Sequence, residues 1–173
     1  MIILVRSFDV LAKIIHAGMA IWLIMRGKKL VKIYNHSEIY IMDMVSGALA
    51  RGITNRSYKK AFKDGKKREL LFYDMDLNDE QKDKLYKFCL DEGGKPYEYI
   101  NFLRHTIDIF FGKWKGPTGE KAEKRLFCIE YAANGVNVVF PGSIKKPWRI
   151  NPPVFKEFCD KHFELNRMVK ITK

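Results

Sequence analysis

The longest apolar stretch of the chain, Val10–Met25, constrains the fold more than any other feature. It reads VLAKIIHAGMAIWLIM and has to be covered by something. A membrane-spanning helix needs about 20 predominantly apolar residues. This stretch is shorter, carries Lys13 and His16, and stops at Arg26-Gly27-Lys28-Lys29. That leaves a helix buried in a globular core, or one lying in a membrane interface. Ser7 is placed to cap a helix over Phe8–Met25, and Gly27 to break it. The opening MIILVRSFDV lacks the basic start and small-residue cleavage site of a secretory leader, so a cytoplasmic location is expected.

Around this helix the chain reads as short strands and then helices. Ile2–Val5 predicts a buried strand, and Leu30–Tyr34 and Ser37–Met42 are β-rich. In HSEIYIMD the residues alternate, so His36, Glu38 and Tyr40 share one face while Ser37, Ile39 and Ile41 share the other. Asp43-Met44 turns the chain into a strand near Val45–Ala50, residues 52–67 form a basic excursion, and Glu69–Asp74 is a further strand. Asn78-Asp79-Glu80-Gln81 starts a helix that runs to Asp91 and stops at Gly93-Gly94. Helices are expected over Tyr97–Phe111 and from Leu126 to Asn134, the latter ended by Gly135. Between them lies a basic loop, 113–124; Val136–Phe140 is a candidate strand, and Pro152–Glu164 a closing helix with proline in its first turn. The sequence has no internal repeat, and 173 residues suit a single α+β domain, 1–173.

The excess of 32 Lys and Arg over 20 Asp and Glu gives a net charge of +12, a field that attracts polyanions such as nucleic acid or anionic lipid. The charge is spread over 59–68, 113–125 and 145–149, without the interleaved aromatics of a nucleic-acid platform. It reads as a soluble basic surface or as a polyanion-binding one. Three widely spaced cysteines, Cys89, Cys128 and Cys159, with no Cys-x-x-Cys pair, argue against a disulfide framework or a zinc site and for a reducing compartment. No metal or other cofactor is expected.

Two residues carry candidate chemistry. His36 lies where a loop enters a strand, with Glu38 facing the same way. A carboxylate there accepts the ring N–H, fixes the tautomer and raises the basicity of the other nitrogen; the same pair also serves as plain structural support. Cys128 falls in the first turn of a helix, where backbone N–H groups and the positive helix end favour a thiolate. Cys89 and Cys159 sit inside helical patterns, and His16, His105 and His162 on helices, all with structural or surface readings.

Four phrases occur in order: Asn35-His36-Ser37-Glu38-Ile39-Tyr40, Gly94-Lys95-Pro96-Tyr97-Glu98, Phe127-Cys128-Ile129-Glu130-Tyr131-Ala132-Ala133 and Asn151-Pro152-Pro153-Val154-Phe155. Their order resembles the circularly permuted NlpC-type papain-like hydrolases. These are related to lecithin–retinol acyltransferase-like enzymes and have bacterial, phage and poxviral members. The resemblance implies a papain-like permuted fold, a small antiparallel sheet packed on helices, with the nucleophile at a helix N-terminus. It implies Cys128 as nucleophile, His36 as general base and Glu130 as a supporting acid. Glu38 is expected to orient the histidine, with Ser46 as the alternative; Tyr97 either lines the cleft or packs in the core. The function implied is a thiol hydrolase or acyltransferase acting on a peptide, amide or lipid ester substrate. Competing expectations are an inactive basic module that binds nucleic acid or another polyanion, and an interaction protein that holds a peptide or lipid tail. Contact with an anionic polymer or a membrane surface is expected through the basic loops.

Overall fold

The computed structural model describes residues 1–49, 51–62, 66–97 and 128–172. The expected helix beyond Tyr97 and the basic loop 113–124 lie outside them. Strand β1 (Ile2–Ser7) leads into helix α1 (Val10–Met25), followed by β2 (His36–Ile41), β3 (Met44–Leu49) and β4 (Gly52–Ser57). A short helix α2 (Tyr58–Phe62), strand β5 (Arg68–Asp74) and helix α3 (Asp79–Glu92) come next. The described chain resumes with helix α4 (Cys128–Val139), a 3₁₀ turn at Pro147–Arg149, helix α5 (Pro152–His162) and strand β6 (Glu164–Ile171). The strands form one antiparallel six-stranded sheet in the order β4-β3-β2-β1-β5-β6. The coarse expectation of an α+β fold is met.

Strand β1 is central and covered on both faces, which explains its unbroken apolar run: Ile2 and Leu4 join one cluster, Ile3 and Val5 the other. The larger cluster fills the face under α3, α4 and α5, with Tyr73, Leu85, Tyr131, Val136 and Phe155. The smaller one gathers Val45, Leu70 and Phe72 against Ala61 and Phe62 of α2. Pairing runs Ile2↔Ile39 to Val5↔His36 on one side of β1 and Ile2↔Tyr73 to Ser7↔Arg68 on the other. Paired residues share a face, so His36 and Glu38 lie on the side of Val5 and Ile3.

Several local signals act as the sequence implies. Asn78 and Gln81 form a reciprocal capping box at α3. Gly27, at φ +62°, ends α1 in a Schellman turn, with Lys28 N–H bonding Leu23 C=O and Gly27 N–H bonding Ile24 C=O. Asn151 caps α5 through Val154 N–H, with proline in its first turn.

Other expectations are corrected. The cap of α1 is Asp9, which accepts from Ala12 N–H, because Ser7 is still paired within β1. Residues 30–34 form no strand, since both edges of β1 are already taken by β2 and β5. The hairpin turn is Met42-Asp43, both at positive φ, one residue earlier than expected. Residues 52–67 begin with a full strand, β4, paired to β3 from Met44↔Ser57 to Leu49↔Gly52. Gly135 does not end α4 but lies inside it, and 136–139 are helical rather than a strand. A Cβ at Gly135 would come within 2.4 Å of Ile39 Cδ1, so the glycine lets α4 settle onto β2. After α5 the chain adds edge strand β6, exposed along most of its length, with only Val169 and Ile171 half-buried against the smaller cluster.

Candidate functional site

The β2–β3 ladder runs Ile41↔Met44, Tyr40↔Val45, Ile39↔Ser46 and stops there. Beyond it Glu38 fills the space over Gly47, where a Cβ would approach Glu38 Cγ to 2.9 Å. The strands therefore part at the His36 end, and the start of α4 meets β2 there: Ser37 Oγ donates to the Cys128 carbonyl at 3.0 Å. The entry to β2 is fixed by Asn35, whose Oδ1 accepts from Ser7 N–H at 2.9 Å and lies 3.2 Å from His16 Nε2.

Three of the sequence-nominated side chains meet in this gap. His36 Nε2 lies 3.0 Å from Glu38 Oε1, and the ring is also hydrogen-bonded to Cys128. With Nε2 engaged by Glu38, Nδ1 is the nitrogen left to face the thiol. Cys128 is 6% exposed, its sulfur 4.0 Å from Asn35 C=O and supported by backbone hydrogen bonds from Ser37 and Ile129.

Burial opposes charge on every member of the set, so the directions in which they titrate are informative. Burial pushes the Cys128 thiol up, but the neighbouring imidazolium and the backbone N–H groups outweigh it and leave the thiol below its ordinary value. Burial pulls His36 down, but the thiolate and Glu38 outweigh it and raise the imidazole well above its ordinary value. Both shifts favour a thiolate–imidazolium pair. Glu38, driven up by burial, is held below the usual carboxylate range by His36 and then by Arg56. Arg56 Nη2 donates to Glu38 Oε1 at 2.9 Å. Thiolate, imidazolium, carboxylate and guanidinium thus alternate in sign, which is how buried charge becomes tolerable.

Ser46, the alternative orienter, does not reach His36. It pairs with Ile39 on the opposite face, within hydrogen-bond distance of Asn55 Oδ1 and Tyr131 OH, both at 2.5 Å. Glu130 is buried within α4, and Tyr97 packs against the larger core cluster. Cys89 and Cys159 are fully buried, and burial pushes both thiols up. His16 holds Asn35, and His162 packs against Phe158 with tilted rings, 4.5 Å between centroids; His105 lies outside the described residues. Among the described residues no group of His, Cys, Asp or Glu is arranged to hold a metal.

The residue that sequence reasoning missed is Arg56. Its signal was present but dissolved in the basic excursion: in GITNRS, Arg56 shares a face with Gly52 and Thr54, and pairing opposite Val45 turns it toward Glu38. The Gly94-Lys95 phrase has a visible role in holding this strand. Ile53 N–H bonds Lys95 C=O at 2.8 Å, and Gly94 N–H bonds Ile53 C=O at 2.9 Å. Gly52, at φ +111°, is required there because a Cβ would lie 2.5 Å from Lys95 C=O.

Comparison with protein-family models, with curated proteins and with solved structures returns no match, so the site rests on its own geometry.

Proposed function

We propose that the protein is a thiol hydrolase or acyltransferase on a permuted papain-like fold, with Cys128 as nucleophile, His36 as general base and acid, and Glu38 as positioning residue. One observation carries the reading. A buried thiol and a partly buried imidazole are hydrogen-bonded, and each is pushed toward its charged form against the effect of burial. An inert core cysteine, such as Cys159, is pushed the other way.

In the proposed cycle the Cys128 thiolate attacks the carbonyl carbon of an amide or ester, forming a C–S bond while the carbonyl electron pair moves to oxygen. Collapse of this adduct breaks the C–N or C–O bond, and His36 gives its proton to the departing amine or alkoxide. Water or another acceptor then attacks the thioester, losing its proton to His36, and the C–S bond breaks to restore the pair. Backbone N–H groups at the start of α4 are the proposed oxyanion donors; losing one such donor costs about 3 kcal/mol of transition-state stabilisation. Peptide amides, protein amides and lipid esters all contain the required carbonyl.

The test is a panel of acyl-peptide and acyl-lipid substrates, with mass spectrometry for an acyl adduct. Trapping of an acyl group on Cys128, absent in Cys128→Ser and His36→Ala, supports the proposal. A folded protein whose Cys128 neither alkylates nor acylates would reduce the His36–Glu38 pair to structural support.

A further inference from the structure

Helix α1 is apolar on two opposite sides. Its inner side buries Ala12, Met19, Trp22 and Leu23. At about 100° per residue, Val10, Ile14, Ala17, Ile21, Ile24 and Met25 fall together on the other side, in a stripe about 100° wide. All six are exposed, and the large ones among them are 48–75% exposed. Just past the Schellman turn, Leu30 and Val31 are exposed as well. A continuous water-facing stripe of Ile, Val and Met calls for a partner.

The charges around it specify which partner. The helix itself contains no Asp or Glu; the nearest carboxylate in sequence, Asp9, is used as its cap. Lys13 flanks the stripe and Arg26, Lys28 and Lys29 close its end, all exposed. The Arg26 guanidinium and the Lys28 ammonium lie 5.7 and 6.0 Å from the Trp22 ring centroid, and Lys28 also pairs with Glu157 at 3.7 Å. A second copy of a chain with net charge +12 would bring like charges together at this end; an anionic surface would neutralise them.

We propose that α1 docks in the plane of an anionic phospholipid bilayer, its outer stripe among the upper acyl chains and Lys13, Arg26 and Lys29 against the headgroups. The helix is too short and too charged at its ends to cross, and it meets the lipid side-on. His16, toward the inner side of the same helix, lies 3.2 Å from the Asn35 that leads into His36, so the helix that docks also supports the entry to the Cys128 gap. The proposal concerns binding alone and does not depend on the thiol chemistry.

Co-sedimentation of the full chain with vesicles tests it, using phosphatidylcholine alone and phosphatidylcholine mixed with phosphatidylserine. Binding is expected to the mixed vesicles and to weaken steeply with salt. Ile21→Glu with Ile24→Glu is expected to lower the partition coefficient about ten-fold or more, and Arg26→Gln with Lys29→Gln about ten-fold. Cys128→Ser, which removes the proposed nucleophile, is expected to bind like the parent. Failure of the parent chain to bind mixed vesicles overturns the proposal, as does equal binding by the Ile21/Ile24 variant. A parent dimer that this variant splits assigns the stripe to a second copy. Unfolding of the variant in circular dichroism assigns it to the protein's own interior. Either result also overturns the proposal.

Discussion

Two buried carboxylates sit on strands of the same sheet, and they do different things. Glu38 on β2 and Glu69 on β5 are 3% and 4% exposed, and each has an arginine nearby. Glu69 accepts from Lys32 Nζ at 2.6 Å and from Tyr34 OH at 2.7 Å, with Arg6 at 3.8 Å. Its partners are two permanent cations and a phenol that burial, and then the Glu69 contact, makes still harder to ionise. These contacts anchor the loop before β2 to the sheet. Glu38 has one permanent cation, Arg56, and one titratable partner, His36, whose other nitrogen reaches a thiol. Burial and pairing of a carboxylate are common to both clusters and therefore carry no functional signal. What sets Glu38 apart is a titratable partner that is itself hydrogen-bonded to a thiol.

Substitutions that separate the two clusters sharpen this comparison. The largest effect is expected from His36→Ala. An ordinary thiol is almost entirely protonated at mildly acidic pH, so iodoacetamide alkylation of Cys128 should fall about 100-fold there. Mass spectrometry of the labelled peptide reads the result, and an unchanged rate would dissolve the distinction between the two sites. Next comes Glu38→Gln, which leaves the half-buried Arg56 without its anion: a loss of about 3 kcal/mol in denaturant unfolding, with alkylation slowed about ten-fold. Its counterpart Glu69→Gln should lose less stability, about 1–2 kcal/mol, because Lys32 can turn to water, and leave alkylation unchanged. Slowed alkylation in Glu69→Gln would mean that the clusters are coupled.

The pH dependence discriminates further. Glu38 and Cys128 have lowered values, so their contributions to stability are complete above their ordinary values and fade as pH falls through the lowered ones. His36 has a raised value, so its contribution is complete below its ordinary value and fades only as pH rises through the raised one. Cys128 alkylation should therefore be flat across neutral pH instead of climbing toward the ordinary thiol value. The stability gap between the parent and Glu38→Gln, read from melting temperatures, should close in acid as the carboxylate protonates. The smallest expected effect is Gly135→Ala: overpacking against Ile39 of about 1–3 kcal/mol, offset in part by about 1 kcal/mol of helix propensity. Its alkylation profile should match the parent's, because Gly135 lies two turns from the sulfur.

Much of the fold was legible because the signals are local. The Asn78–Gln81 box, the Gly27 stop and the proline start of α5 act within a turn of their own residues. The errors fell where a long-range contact overrides a local preference. Gly135 looks like a helix end but is a point of close approach to β2, and β6 joins the sheet as a mostly exposed edge whose only half-buried residues, Val169 and Ile171, come at its end. Residues 30–34 have strand-forming composition but no free edge of the central strands to join.

The candidate site divides in the same way. Alternation alone put His36 and Glu38 on one face of a strand, because the side-chain period in β structure is two wherever the strand is placed. A cysteine starting a helix was likewise visible from the pattern around it. Only the tertiary structure brings Cys128 to His36, where the β2–β3 ladder stops, and only it selects Glu38 over Ser46 as the neighbour of the imidazole. Arg56 became part of the set for the same reason: its side chain reaches Glu38 from the far side of β3, a relation between strands that no spacing along the chain encodes.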